Sequence, residues 1–177
     1  VTPHDVLLVG GPVYAHHLQY HMLDLIAALP RADDVWGKYA VPYVTYGGIS
    51  SGVALKEAAK LLKASGRVVY AGMKVSAPHC MTRAFMHTEF NSDKLQGDRL
   101  PQVVELADRI MQLVMNSNFK CNAAAFAYNG FKTALKAKII FKEKLWHAKR
   151  YPQININKEV CVNCGNCVKA CPVLHLG

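Results

Sequence analysis

The chain has 177 residues, 51% of them hydrophobic, with six cysteines and a formal net charge of +9. That length holds one ordinary domain plus an appendage, and the apolar content suffices for a real core, which excludes a disordered chain. No uninterrupted apolar run approaches a membrane span and no charged-then-apolar leader opens the sequence, so a membrane role is not expected and the expected placement is cytoplasmic.

The positive charge is uneven. Between Lys132 and Arg150 seven Lys or Arg residues face one Glu, and the rest of the chain is close to balanced. No module interleaves basic and aromatic residues for reading bases, so no nucleic-acid partner is expected. Four of the six cysteines fall in one cluster and two stand alone, the usage of a reducing compartment.

Asp5 to Gly11 is a continuous apolar run ending in glycines, as expected for a parallel strand buried on both faces. After the loop Gly10 to Ala15, Leu18, Met22, Leu25, Ile26 and Leu29 recur at helical spacing until Pro30. A second unit follows, with a strand over Tyr39 to Tyr46, a loop through Gly47, Gly48 and Gly52, and a helix over Val53 to Ala64. Leu55, Ala58, Ala59 and Leu62 share one face of that helix, and Gly66 is its expected stop. A third strand is expected over Arg67 to Val75, then a long loop from Ser76 to Arg99. Pro101 opens a helix whose expected apolar side is Val103, Val104, Ala107, Ile110, Met111 and Val114.

Asn116 to Asn118 is the expected domain boundary. Beyond it Phe131, Leu135, Ile139 and Trp146 keep a helical stripe within a basic connector that Pro152 ends. Ile154 to Val160 alternates as a short strand entering the cysteines. The organisation is therefore residues 1–118, a connector over 119–153, and 154–177. Alternating strands and helices imply a doubly wound α/β sheet, in which ligands gather beyond the carboxyl ends of the strands. The loops Gly10 to Ala15 and Tyr46 to Gly52 both leave such ends.

The strongest chemical signal is Cys161-Val-Asn-Cys164-Gly-Asn-Cys167-Val-Lys-Ala-Cys171-Pro172. Thiols at spacings of three, three and four, closed by a proline, form the ligand run of bacterial 4Fe–4S ferredoxins. Structural zinc normally needs two knuckles separated by a loop, and a disulfide framework needs cysteines farther apart. In two-cluster ferredoxins the fourth cysteine of such a run serves the other cluster, and no second run follows here. Either one cube uses all four local thiols, or Cys80 or Cys121 is recruited, or the sequence is a piece of a longer product. The last is the expectation, and Val1 as first residue suits it.

Gly11-Pro12-Val13-Tyr14-Ala15 and Thr45-Tyr46-Gly47-Gly48 resemble the second and third flavin-binding loops of flavodoxin-like domains. The order of that domain, a basic connector and a ferredoxin run resembles the flavodoxin/ferredoxin fusion proteins. The resemblance implies a flavodoxin-like sheet with a small α+β ferredoxin-like iron–sulfur appendage. It implies FMN bordered by Gly11, Pro12, Val13, Tyr14 and Ala15 on one side and by Thr45, Tyr46, Gly47 and Gly48 on the other, with Tyr14 against the ring. It also implies a 4Fe–4S cluster on Cys161, Cys164, Cys167 and Cys171. Glycines suit such loops because a backbone carbonyl can turn toward flavin N5 only where no Cβ resists. The family's first loop, a Ser/Thr- and Gly-rich turn that cradles the FMN phosphate, is absent, so about a quarter to a third of a complete protein is expected to precede Val1.

Plainer readings stand beside these. Tyr14 and Tyr46 can cap the sheet, and Gly47 and Gly48 can be turn residues. His16 and His17 are expected at the surface or as caps, Cys80 beside His79 as an inert buried thiol, and Cys121 as structural. The connector is expected to be a solvated helix face, with docking of an acidic partner or the phosphate of FMN as alternatives. Function is expected to be electron transfer between FMN and the cluster, with a ferredoxin or flavoprotein reductase as the class of redox partner. The alternative is a redox-, iron- or oxygen-sensing cluster protein whose degenerate flavin domain binds partners. A third reading has His79 or Tyr14 donating a proton to a small substrate at the flavin.

Overall fold

The first apolar run forms β1 (Val6–Tyr14), and the second strand β3 (Tyr39–Tyr46) lies parallel beside it, from Val6 opposite Tyr39 to Pro12 opposite Thr45. The structure is a computed structural model that describes residues 6–32, 37–79, 91, 101–116, 126, 135, 139 and 156–170. Between the two strands come a short return strand β2 (His17–Leu18) and helix α1 (Tyr20–Ala28). Helix α2 (Ala54–Ala64) follows β3, and then β4 (Val68–Val69), β5 (Met73–Ser76), α3 (Pro101–Asn116) and α4 (Asn166–Ala170). The sheet runs β2-β1-β3-β4, with β5 on the same edge of β3 as β4; among the strands described, only the β1–β2 pair is antiparallel.

The return strand was not expected. Ala15 and His16 reverse the chain in two residues with φ of 45° and 71°, so Val13 and Tyr14 pair with Leu18 and His17. This is the two-residue hairpin that normally uses Asn-Gly or Asp-Gly, whose left-handed backbone costs least in glycine. Leu18, expected in the helix, is instead fully buried in β2.

The single third strand expected over Arg67 to Val75 is two pieces, and Pro42 explains the break. Ala40 pairs with Val69 and Tyr43 with Met73, so β4–β5 spends one more residue than β3 over that interval, a bulge. Tyr70 N donates to Ala40 O at 3.1 Å. The next bond of a parallel ladder would come from residue 42, where proline carries no N–H. Gly72 sits in the break, where an added Cβ would lie 2.8 Å from the ring of Phe126.

Helices cover both faces. On one, Ile26 of α1 and Leu55, Ala58, Ala59 and Leu62 of α2 pack on Val9, Ala40, Val44 and Val69. The α2 spacing therefore buries the face expected of it. Gly66 closes this helix at φ 86°, with Gly66 N bonded to Lys63 O and Arg67 N to Leu62 O, which satisfies two terminal carbonyls. On the other face Leu106 of α3 packs with Val41 and Ala71, and Ile110 joins them. Of the rest of the apolar side expected for α3, Val103, Val104 and Met111 are turned outward and exposed. Leu8, opposite Val41, is 52% exposed as well. Among the described residues the edge of β1 away from β3 has no strand partner from Val6 to Gly11. The expected boundary at Asn116 to Asn118 and the connector over 119–153 fall almost wholly outside the described residues. Among those residues, no helix is long and apolar enough to cross a membrane.

Candidate metal centre and sheet-end loop cluster

The cysteine segment begins with a turn in place of the expected strand. The Asn157 side chain accepts from Glu159 N at 2.9 Å, and Lys158 to Val160 turn. Such a local side-chain bond offers the backbone an alternative to a ladder, so the alternation of Ile154 to Val160 does not hold a strand over 156–160. Cys161, Cys164 and Cys167 are all exposed free thiols. Asn163 and Gly165 between them have φ of 54° and 70°, and α4 starts at Asn166. A Cβ at Gly165 would meet nothing within 4 Å, so glycine suits this position for its backbone angle and not for space. The Cys161 thiol lies 3.6 Å from Asn163 Oδ1.

Among the described residues no three His, Cys, Asp or Glu side chains converge as they would around a single ion. A cube differs from one ion in this respect, because each thiolate binds a different iron atom. Three exposed soft donors on a loop bent by two left-handed residues fit that group in chemistry and accessibility. Cys171, Cys80 and Cys121 lie outside the described residues.

The second cluster sits at the carboxyl ends of β1, β3 and β5. Pairing of Pro12 with Thr45 places the two expected loops side by side. Gly11, Pro12, Val13 and Tyr14 belong to β1, Ala15 opens the reversal, Thr45 and Tyr46 end β3, and Gly47 and Gly48 follow. All nine residues are uncharged, and Tyr14 is 43% exposed at the strand end. Adjacent uncharged backbone with an exposed aromatic fits a flat ring cofactor such as FMN.

The glycines have local reasons as well. A Cβ at Gly11 would meet Met22 of α1 at 3.0 Å, and Gly11 is held in the ladder opposite Val44. A Cβ at Gly47 would lie 2.3 Å from the His79 ring, and one at Gly48, where φ is 81°, would run into the Asn91 amide. Asn91 Nδ2 donates to Gly47 O at 3.1 Å and to Ser76 Oγ at 3.1 Å.

His16 and His17 are neither surface residues nor caps. His16 O accepts from Val53 N at 2.8 Å, and its Nδ1 lies 3.2 Å from Ser50 Oγ. Gly52, at φ 55°, makes room for that carbonyl, since a Cβ there would sit 1.9 Å from it. Burial, and then the neighbouring His17, hold the His16 imidazole below its ordinary pKa. His17 Nδ1 pairs with Glu57 Oε1 of α2 at 2.8 Å. Sequence reading missed Ser50, Glu57, Ser76 and Asn91, none of which stands in a motif.

Exposed soft donors at this spacing fit a metal-binding, iron–sulfur segment. Residues 154–174 match the 4Fe-4S binding domain family, and this span contains all four cysteines of the run. The chain thus carries an iron–sulfur electron-transfer module on a mixed α/β body with a partly parallel sheet. No curated protein and no solved structure matches the chain.

Proposed function

We propose that this chain is part of an electron-transfer iron–sulfur flavoprotein, passing electrons between FMN and a 4Fe–4S cluster held by Cys161, Cys164, Cys167 and Cys171. The observation that carries the reading is the match of residues 154–174 to the 4Fe-4S binding domain, lying on the same chain as two uncharged loops at adjacent parallel strand ends. Gly11, Pro12, Val13, Tyr14 and Ala15 would border the flavin on one side and Thr45, Tyr46, Gly47 and Gly48 on the other. FMN when bound supplies the exchange between paired and single electrons. The chain's own residues orient the ring and, through Tyr14, cover part of it from water.

Among the described residues no strand lies along the outer edge of β1 from Val6 to Gly11, which supports a flavodoxin-like body. In the flavodoxin-like order 2-1-3-4-5, a strand beyond the third would lie along that edge. Leu8, with Val103, Val104 and Met111 of α3, is the apolar surface that such a strand and its helix would cover. In this reading residues 1–118 are a flavodoxin-like domain lacking its first strands and phosphate loop, 119–153 a basic helical connector, and 154–177 the first half of a ferredoxin domain. The redox partner would be a ferredoxin or a flavoprotein reductase in the cytoplasm.

A second reading, a redox or iron/oxygen sensor whose body binds partners, draws on the packing of His79 and Asn91 against Gly47 and Gly48, which explains those glycines without a flavin. Anaerobic reconstitution of the full-length protein with iron, sulfide and FMN tests the choice. Stoichiometric uptake of cluster and flavin together is the expected result; uptake of cluster alone would favour the sensor.

A further inference from the structure

We propose that Asn91 is a positioning residue that fixes the Gly47–Gly48 peptide so that its N–H is offered to a ring carbonyl of the flavin; this rests on the flavin reading above. The side chain reaches across 44 positions of sequence to donate to Gly47 O, and it donates to Ser76 Oγ at the end of β5. One amide therefore ties the loop after β3 to the strand beside it. Because a peptide is planar and trans, its C=O and N–H point in opposite directions. With the Gly47 carbonyl held on the Asn91 side, the Gly48 N–H faces away from Asn91 and Ser76. Among the described residues that N–H makes no hydrogen bond. A backbone donor left without a partner is costly if buried and useful if a ligand accepts from it. Flavin ring carbonyls are acceptors of the matching kind.

Glycine at both positions is what permits this geometry. His79 lies against Gly47 and Asn91 against Gly48, each in the space a Cβ would take. Asn91 itself has φ 59°, a backbone state that Asn and Asp enter more readily than other residues with a Cβ. The same bond also withholds the Gly47 carbonyl from flavin N5, and Gly11 is held in the β1–β3 ladder, so neither glycine is free to turn its carbonyl on reduction.

FMN titrated into the full-length protein, and into its Asn91→Asp and Asn91→Gly variants, tests the assignment. Asp keeps the size and Gly keeps the backbone angle, while both remove the donor. Flavin fluorescence quenching gives affinity, and the isotope-labelled Gly48 amide resonance reports the contact itself. The expected result is a downfield shift of the Gly48 amide with FMN in the parent, with that shift lost and affinity lowered roughly tenfold in both variants. Variants that bind as the parent does, with the Gly48 shift intact, would overturn the role of Asn91 while leaving the flavin reading standing. A parent that takes up no FMN would remove the flavin reading, and this proposal with it.

Discussion

Gly52→Ala measures how firmly the first loop is tied to the second, and Gly66→Ala is its internal control. Both glycines have positive φ, 55° and 86°, so alanine pays the left-handed cost of about 1–2 kcal/mol at either position. Their surroundings differ. At Gly66 the nearest atom to an added Cβ is 3.9 Å away, an ordinary contact, so the backbone term is the whole effect. At Gly52 the Cβ would lie 1.9 Å from His16 O, which must move by more than an ångström. Moving it breaks the bond from Val53 N, about 1 kcal/mol, and disturbs the Ala15–His16 reversal. Gly52→Ala should therefore destabilise by about 3–4 kcal/mol and Gly66→Ala by about 1–2 kcal/mol. Urea unfolding of each variant, followed by circular dichroism, reads both values. Equal losses in the two variants would refute the close approach of the loops.

Stability should fall with acid through His16. Its folded pKa lies below the ordinary 6.5, so the unfolded chain takes up the proton first; full stability is present above that value and is lost as pH drops through it. His16→Asn, which tolerates the positive φ, should flatten the urea midpoint between neutral and mildly acid pH, and an unchanged slope would contradict the burial of this ring. Removing either member of the His17–Glu57 pair should destabilise, and a double-mutant cycle at neutral pH should show favourable coupling of about 1 kcal/mol or less. Cys164→Ser in the full-length protein should abolish the thiolate-to-iron absorption and most bound iron and sulfide after reconstitution, while retention of both would remove Cys164 as a ligand. Gly165→Ala, with open space around it, should cost only its backbone strain and still permit reconstitution.

What the sequence disclosed depended on how locally each feature is encoded. β1, β3 and α2 are apolar runs and stripes whose period is written in consecutive residues, and the structure has them within a residue or so, apart from the longer carboxyl end of β1. The cysteine run is equally local, since one loop must wrap one cofactor. The return strand β2 was illegible because Ala15 and His16 make a reversal that usually announces itself with Asn or Gly. The split of the third strand originates in Pro42, on the neighbouring strand. Of the apolar side expected for α3, Val103, Val104, Ala107 and Met111 are exposed and Ile110 packs inward, beside Leu106, which the expected stripe left out. Asn91 acts on a residue 44 positions away, beyond the reach of any periodicity.

The most direct measurement is stopped-flow reduction of the anaerobically reconstituted full-length protein by a low-potential one-electron donor, with the flavin and cluster bands followed together. The account predicts that the cluster bleaches first and the flavin follows, and that Cys164→Ser slows flavin reduction by at least an order of magnitude. Flavin reduction at the same rate in both proteins, or zinc in place of iron in the purified parent, would contradict it.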